Sequence, residues 1–161
     1  MKNRFTKYVD KNSVVHLKGK DKREVLEEVI FLAADRSSIS IDRIRELTWK
    51  REKMMTTGVG FGLALPHIRL EEIPHPVIIC GLCENPIIDY GSQDEKPVRV
   101  ILYIMAPSGN QESYLELLGS VSAKMRDEEI INEIVANFDK PSNVLKVLKR
   151  RRKDEPEDEE E

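Results

Sequence analysis

Apolar residues return at helical spacing after Asp21. Val25, Leu26, Val29, Ile30, Leu32 and Ala33 predict an amphipathic helix over about 22–34, with Asp21 as its N-cap. Ser40 begins a second such run: Ile41, Ile44 and Leu47 share one face, extended by Met54 or Met55, while Arg43, Arg45 and Glu46 occupy the other. The spacing reads the two methionines as packing residues. Further on the period changes. Residues 77–83 and 98–105 are short, apolar and rich in β-branched side chains, as strands buried on both faces are, and Ile87-Ile88-Asp89-Tyr90 predicts a brief strand between them.

After Pro107-Ser108-Gly109 the pattern is helical again. Tyr114, Leu115, Leu117, Leu118, Val121 and Met125 form a stripe ending near Arg126, and Ile130, Ile131, Ile134, Val135 and Phe138 form another from about Asp127. A last helix, capped by Ser142 or its neighbour, carries Val144, Leu145, Val147 and Leu148. Helices, then strands, then helices predict an α/β fold: a single-domain sandwich with a central mixed β-sheet flanked by helices.

Composition narrows the function classes. A chain of 161 residues, 40% of them hydrophobic, suits one core, here expected over residues 1–153. No apolar run approaches the roughly 20 residues of a membrane helix, and the first residues lack the apolar block of a signal peptide. A soluble, cytoplasmic protein with no membrane insertion is expected. The net charge of −3 hides an asymmetry, because residues 154–161 hold seven acids; without them 26 basic residues face 22 acidic ones, about +4. The segment is expected to be a disordered acidic tail, and the basic run Lys149-Arg150-Arg151-Arg152-Lys153 before it reads as local neutralisation, not as a nucleic-acid patch.

The chemistry concentrates in Arg51-Glu52-Lys53-Met54-Met55-Thr56-Thr57-Gly58-Val59-Gly60-Phe61-Gly62-Leu63-Ala64-Leu65-Pro66-His67. A dinucleotide turn needs a strand before its glycines and a helix after them, and Pro66 falls where that helix would run. No Gly-Lys-Ser or Gly-Lys-Thr follows, which removes a P-loop. The segment instead predicts an anion nest: Gly58, Gly60 and Gly62 turn successive N–H groups toward one concavity, and Thr56 and Thr57 supply hydroxyls for phosphate contact or turn capping. Pro66 stops the short strand Leu63–Leu65 and restricts Leu65 to an extended conformation, so His67 is expected at a rigid strand end. Near its reference pKa of about 6.5 the imidazole is mostly neutral at pH 7, with one nitrogen free to attack phosphorus while the other is held by a hydrogen bond.

The run Arg51-Glu52, then Thr56-Thr57-Gly58-Val59-Gly60-Phe61-Gly62-Leu63-Ala64-Leu65-Pro66-His67, resembles the active-site signature of fructose/mannitol-type enzyme IIA domains of the bacterial phosphotransferase system, including the free-standing nitrogen-regulatory members. The likeness continues more weakly from about Gly19 to Leu148. It implies the fold of those domains and a phosphohistidine at His67. The donor would be the phosphocarrier protein HPr or its nitrogen-branch counterpart, and the group would pass onward to a IIB domain or serve regulation of target proteins. Arg51 matches the family's arginine and would hold phosphoryl oxygens in a bidentate contact, unless it is a surface residue paired with Glu52 or Glu46. No cofactor is expected. With no IIB, IIC or HPr-like segment in the sequence, the nitrogen-regulatory branch is favoured. The alternative is an interaction module that docks on a regulatory or transport protein without transferring phosphate.

Two positions depart from the family pattern. Tyr114 stands where members commonly have a second histidine; it can donate a hydrogen bond to a phosphoryl oxygen but cannot become a cation near pH 7. Ile68 replaces a small residue beside His67, and either narrows the donor's approach or points into the core. Phe61, breaking the glycine series, is a candidate apolar anchor for a partner near the reactive site. His75, between two prolines, and His16, at a strand-like edge, are not expected to be catalytic. Cys80 and Cys83 should point to opposite faces of a strand, so a buried apolar role is preferred over a redox or metal pair.

Overall fold

In the computed structural model, which describes residues 4–151, a 3-10 turn (Phe5–Tyr8) leads into β1 (Val14–Leu17), α1 (Lys22–Ser37) and α2 (Ile41–Met54). Then come β2 (Gly58–Gly60), β3 (Leu63–Ala64), β4 (His67–Leu70) and β5 (Val77–Ile87), a second 3-10 turn (Ile88–Tyr90), and β6 (Val98–Pro107). The helices α3 (Gln111–Met125), α4 (Glu128–Ala136) and α5 (Pro141–Lys149) close the chain. The acidic segment 154–161 lies outside the described residues.

Across the sheet the order is β1-β5-β6-β3-β2, and β4 pairs with β6 along the same edge as β3. The sheet is mixed: β1 on β5, β3 on β6 and β4 on β6 are parallel, β5 on β6 and β2 on β3 antiparallel. Both of its faces are covered. Leu102, Ile104 and Ala106 of β6 pack with Leu117, Val121, Ile131 and Val144 of the later helices. Ile101, Tyr103 and Met105, one residue out of phase, pack with Val25, Leu26, Val29, Ile30 and Ile44 of α1 and α2. Two-sided burial is why this strand reads as an unbroken apolar run from Val100 onward. Cys80 joins the first cluster and Cys83 packs against the second, on opposite faces, and burial pushes both thiols up to about 12.

Asp21 caps α1 as expected, and Asn110 and Asp127 cap α3 and α4 in the same way. Asp21 accepts from the Glu24 N–H at 2.8 Å, Asn110 from the Ser113 N–H at 3.0 Å, and Asp127 from the Glu129 N–H at 2.9 Å. Elsewhere the structure corrects the pattern. Helix α1 runs past Ala34 to Ser37 and stops where Ser38 turns left-handed (φ 62°) and donates back to the Ala34 carbonyl. Lys140, not Ser142, is the N-cap of α5, with Pro141 in its first turn. Residues 88–90 form a 3-10 turn because β5 continues to Ile87 and the chain then folds in to bury Tyr90. Met54 and Met55 lie 77% and 63% exposed, beyond Glu52, the last buried residue of α2. Pro66 interrupts the strand without ending it: the Pro66 carbonyl accepts from the Ile104 N–H, and β4 resumes pairing at once.

Candidate active site

His67 opens β4, where Ile68 and Leu70 are buried against the α1 and α2 side. Strand alternation therefore puts His67 and Arg69 together on the opposite face, half-buried. Ile68 points into the core and leaves the approach to His67 clear of its side chain. The imidazole Nδ1 lies 2.7 Å from the Leu65 carbonyl. A carbonyl only accepts, so Nδ1 carries the proton and Nε2 keeps its lone pair. Burial holds the His67 pKa below its ordinary value of 6.5; the nearby Arg51 charge acts the same way, against the Leu65 carbonyl and the Glu52 carboxylate. The ring is therefore neutral at pH 7, oriented by the Leu65 carbonyl and unprotonated at Nε2.

Two arginines flank it. Arg51, in the last turn of α2, donates from Nη1 to the Met55 carbonyl at 2.7 Å, capping the helix instead of pairing with Glu52 or Glu46, and its charge reaches both His67 and Tyr114. Arg69 donates to Gln111 Oε1 at 2.7 Å and to the Ser108 carbonyl at 3.2 Å, and its guanidinium lies 4.2 Å over the Tyr114 ring. Those acceptors are neutral and leave its charge uncompensated, and its buried Nε has no hydrogen-bond partner. Sequence reasoning passed over Arg69. The signal was its place two residues from His67, obscured once Pro66 is taken as a strand end.

Arg51, His67 and Tyr114 are thus brought together, but the glycine series is not among them. Gly60, Phe61 and Gly62 all have positive φ (97°, 61° and 82°) and form the tip of the β2–β3 hairpin. The turn is held by Asp94, whose carboxylate accepts the Phe61 N–H at 3.0 Å, and the Gly62 carbonyl accepts from Arg99 and Val100. Leu63 pairs with Val100 and His67 with Ile104, so this tip lies about 13 Å along the sheet from the backbone of His67, at ~3.3 Å per strand residue. Gly60 and Gly62 turn the hairpin tip and form no nest at His67, Gly58 pairs with Ala64 and gives its N–H to Thr56 Oγ1, and Phe61, 42% exposed, sits at that tip.

Both threonines also turn away from a ligand role. Thr57 is buried; its Oγ1 lies 2.7 Å from Glu52 Oε2 and 2.7 Å from the Tyr90 hydroxyl. Thr56 Oγ1 accepts from the Gly58 N–H at 3.1 Å, as a turn cap. His16, in the edge strand β1, stacks on Phe138 with ring centroids 4.2 Å apart. His75 is exposed and shares with Tyr114 the wall of a cavity of about 270 Å³. No helix among the described residues is long and apolar enough to cross a membrane.

The same arrangement of strands and helices occurs in known proteins. The nitrogen regulatory protein of Bradyrhizobium diazoefficiens is 30% identical over 123 residues, 76% of this chain and 80% of its own length. The crystal structure of IIA-Ntr from Neisseria meningitidis superposes with a TM-score of 0.78 at 23% identity, covering 89% of this chain and 98% of that one. The enzyme IIA–phosphorylated enzyme IIB mannitol complex from Escherichia coli contains a chain matching at TM-score 0.70 and 17% identity, covering 87% of this chain and 96% of that one. Residues 7–151 match the family described as the phosphoenolpyruvate-dependent sugar phosphotransferase system, EIIA 2. With nearly its whole length inside that match, the chain belongs to the EIIA 2 family of the phosphoenolpyruvate-dependent sugar phosphotransferase system.

Proposed function

We propose that the chain is a phosphoryl carrier in which His67 accepts the group from a phosphohistidine of HPr or its nitrogen-branch counterpart. The observation that carries this reading is the Nδ1–H bond to the Leu65 carbonyl, which leaves Nε2 as the free nucleophile. The Nε2 lone pair forms the new N–P bond as the donor's N–P bond breaks, and the departing electron pair returns to the donor's ring nitrogen. With both its nitrogens substituted the His67 ring gains positive charge, which the Leu65 carbonyl stabilises. The transferring group is loose and anionic, so positioned cations supply most of the help. Arg51 and Arg69 take that part, and Tyr114 acts as the platform under Arg69.

Onward transfer to a IIB domain is supported by the enzyme IIA–IIB mannitol complex among the structural neighbours. The nitrogen-regulatory branch, where the phosphorylation state is itself the signal, is supported by the 30% identity to a nitrogen regulatory protein. The test is incubation with phosphoenolpyruvate, enzyme I and HPr or its nitrogen counterpart, followed by intact mass. One acid-labile phosphoryl group is expected on the wild type and none on His67→Ala. Labelling of that variant would move the assignment to another residue, and an unlabelled wild type with several donors would favour a docking module.

A further inference from the structure

We infer that Glu52 is a positioning residue for His67, acting through Thr57 and Leu65 without touching the reacting nitrogen. Its effect on rate rests on the phosphoryl-carrier reading; its effect on the ring does not. The Glu52 carboxylate grips Thr57 at two points: Oε1 accepts the Thr57 N–H at 3.0 Å and Oε2 the Thr57 hydroxyl at 2.7 Å. The Thr57 carbonyl accepts the Leu65 N–H at 2.9 Å, and the Leu65 carbonyl accepts the His67 Nδ1–H at 2.7 Å. Three separate stretches, the end of α2, the entry to β2 and the Leu65–Pro66 link, are tied in series to the imidazole. The carbonyl that selects the ring's tautomer is aimed by that tie.

The grip is itself anchored. A carboxylate with its side chain 4% exposed is costly unless paired, and Lys22 Nζ meets Glu52 Oε1 at 2.7 Å while also donating to the Tyr90 carbonyl at 3.0 Å. Thr57 gives its hydroxyl proton to Glu52, so the Tyr90 hydroxyl, 2.7 Å away, is the donor to Thr57 Oγ1. Burial first, and then the Glu52 charge, push the Tyr90 phenol pKa up and keep it a donor. Each member of the cluster satisfies another, which fixes the Thr57 backbone as well as its side chain.

The ring nitrogens of His67 in the full chain are read by long-range ¹H–¹⁵N NMR near pH 8, for wild type, Glu52→Gln, Thr57→Val and Thr57→Ser. The wild type is expected as a single Nδ1–H tautomer. Glu52→Gln and Thr57→Val should show a mixture and slow labelling by about ten- to a hundredfold, the usual range when an orienting partner is lost. Thr57→Ser, which keeps the hydroxyl, should restore both. Wild-type ring shifts in Glu52→Gln and Thr57→Val, with only a lowered melting temperature, would overturn the inference and leave Glu52 a structural residue. Thr57→Val, the milder lesion, decides alone should Glu52→Gln fail to fold. The ring readout needs no phosphodonor, so an unlabelled wild type would defeat the carrier reading and leave this test intact.

Discussion

Arg69 lies over the Tyr114 ring, with the guanidinium carbon 4.2 Å from the ring centre. A cation on an aromatic face is held by the ring's quadrupole, and Gln111 and the Ser108 carbonyl orient its fork from the side. Tyrosine at 114 cannot protonate, but it supports a residue that is always charged. On the carrier reading, the positive charge that a second histidine lends only when protonated comes permanently from Arg69 of β4.

Removing that charge should slow transfer. Arg69→Gln is expected to lower the labelling rate roughly a hundredfold, the usual loss when one stabilising donor is withdrawn. Arg69→Lys, which keeps charge but loses the planar stack, should fall between. Tyr114→Phe keeps the ring and should stay within about twofold of wild type. A rate for Tyr114→Phe as low as that of Arg69→Gln would return the phosphoryl contact to the Tyr114 hydroxyl. Stopped-time mass spectrometry at fixed donor concentration measures all three.

The depressed His67 pKa makes a paired prediction for pH. As the pH falls through 6.5 the labelling rate should hold, dropping only below the lowered pKa of the folded ring. Stability moves with it. Between the folded and unfolded pKa values the unfolded chain binds more protons, so the stability His67 contributes is present above about 6.5 and is lost as the pH falls through the folded value. Urea titrations of wild type and His67→Gln between pH 8 and 5 should show the wild type losing ground on acidification. A constant difference between them would contradict the burial of a neutral ring.

Gly60 separates hairpin from active site. With φ at 97° and Asp94 Oδ2 at 3.1 Å from the position a Cβ would take, Gly60→Ala should cost about 1–2 kcal/mol and lower the melting temperature by roughly 2–8 °C. Labelling of the folded variant should remain within about twofold of wild type. A large loss of labelling without loss of stability would restore the glycine turn to the site.

The local parts of the fold were legible in the residues themselves. Helical periodicity, the cap at Asp21, the start of a helix at Asp127 and the apolar run of β6 all show within a few positions, which a linear pattern records. His67 stood out because Pro66 and an upstream arginine constrain it within one short segment. The glycines misled for the same reason. Spacing reveals that a backbone must turn, and only the pairing of Leu63 with Val100 places that turn away from the imidazole.

What the chain alone determined is its α/β class and the succession of two helices, a group of strands and three helices, with His67 and Arg51 as its candidate site residues. Tertiary structure decided the company His67 keeps: Arg69 on its face of β4, Tyr114 beneath that arginine from a helix 45 residues on, and Lys22 and Tyr90 gathered around Glu52 and Thr57. The Arg69 contacts follow from the register of β4 and the face its side chains take, which a shift of one residue would reverse, and the Glu52 cluster from the packing of α1, α2 and the 3-10 turn around Thr57.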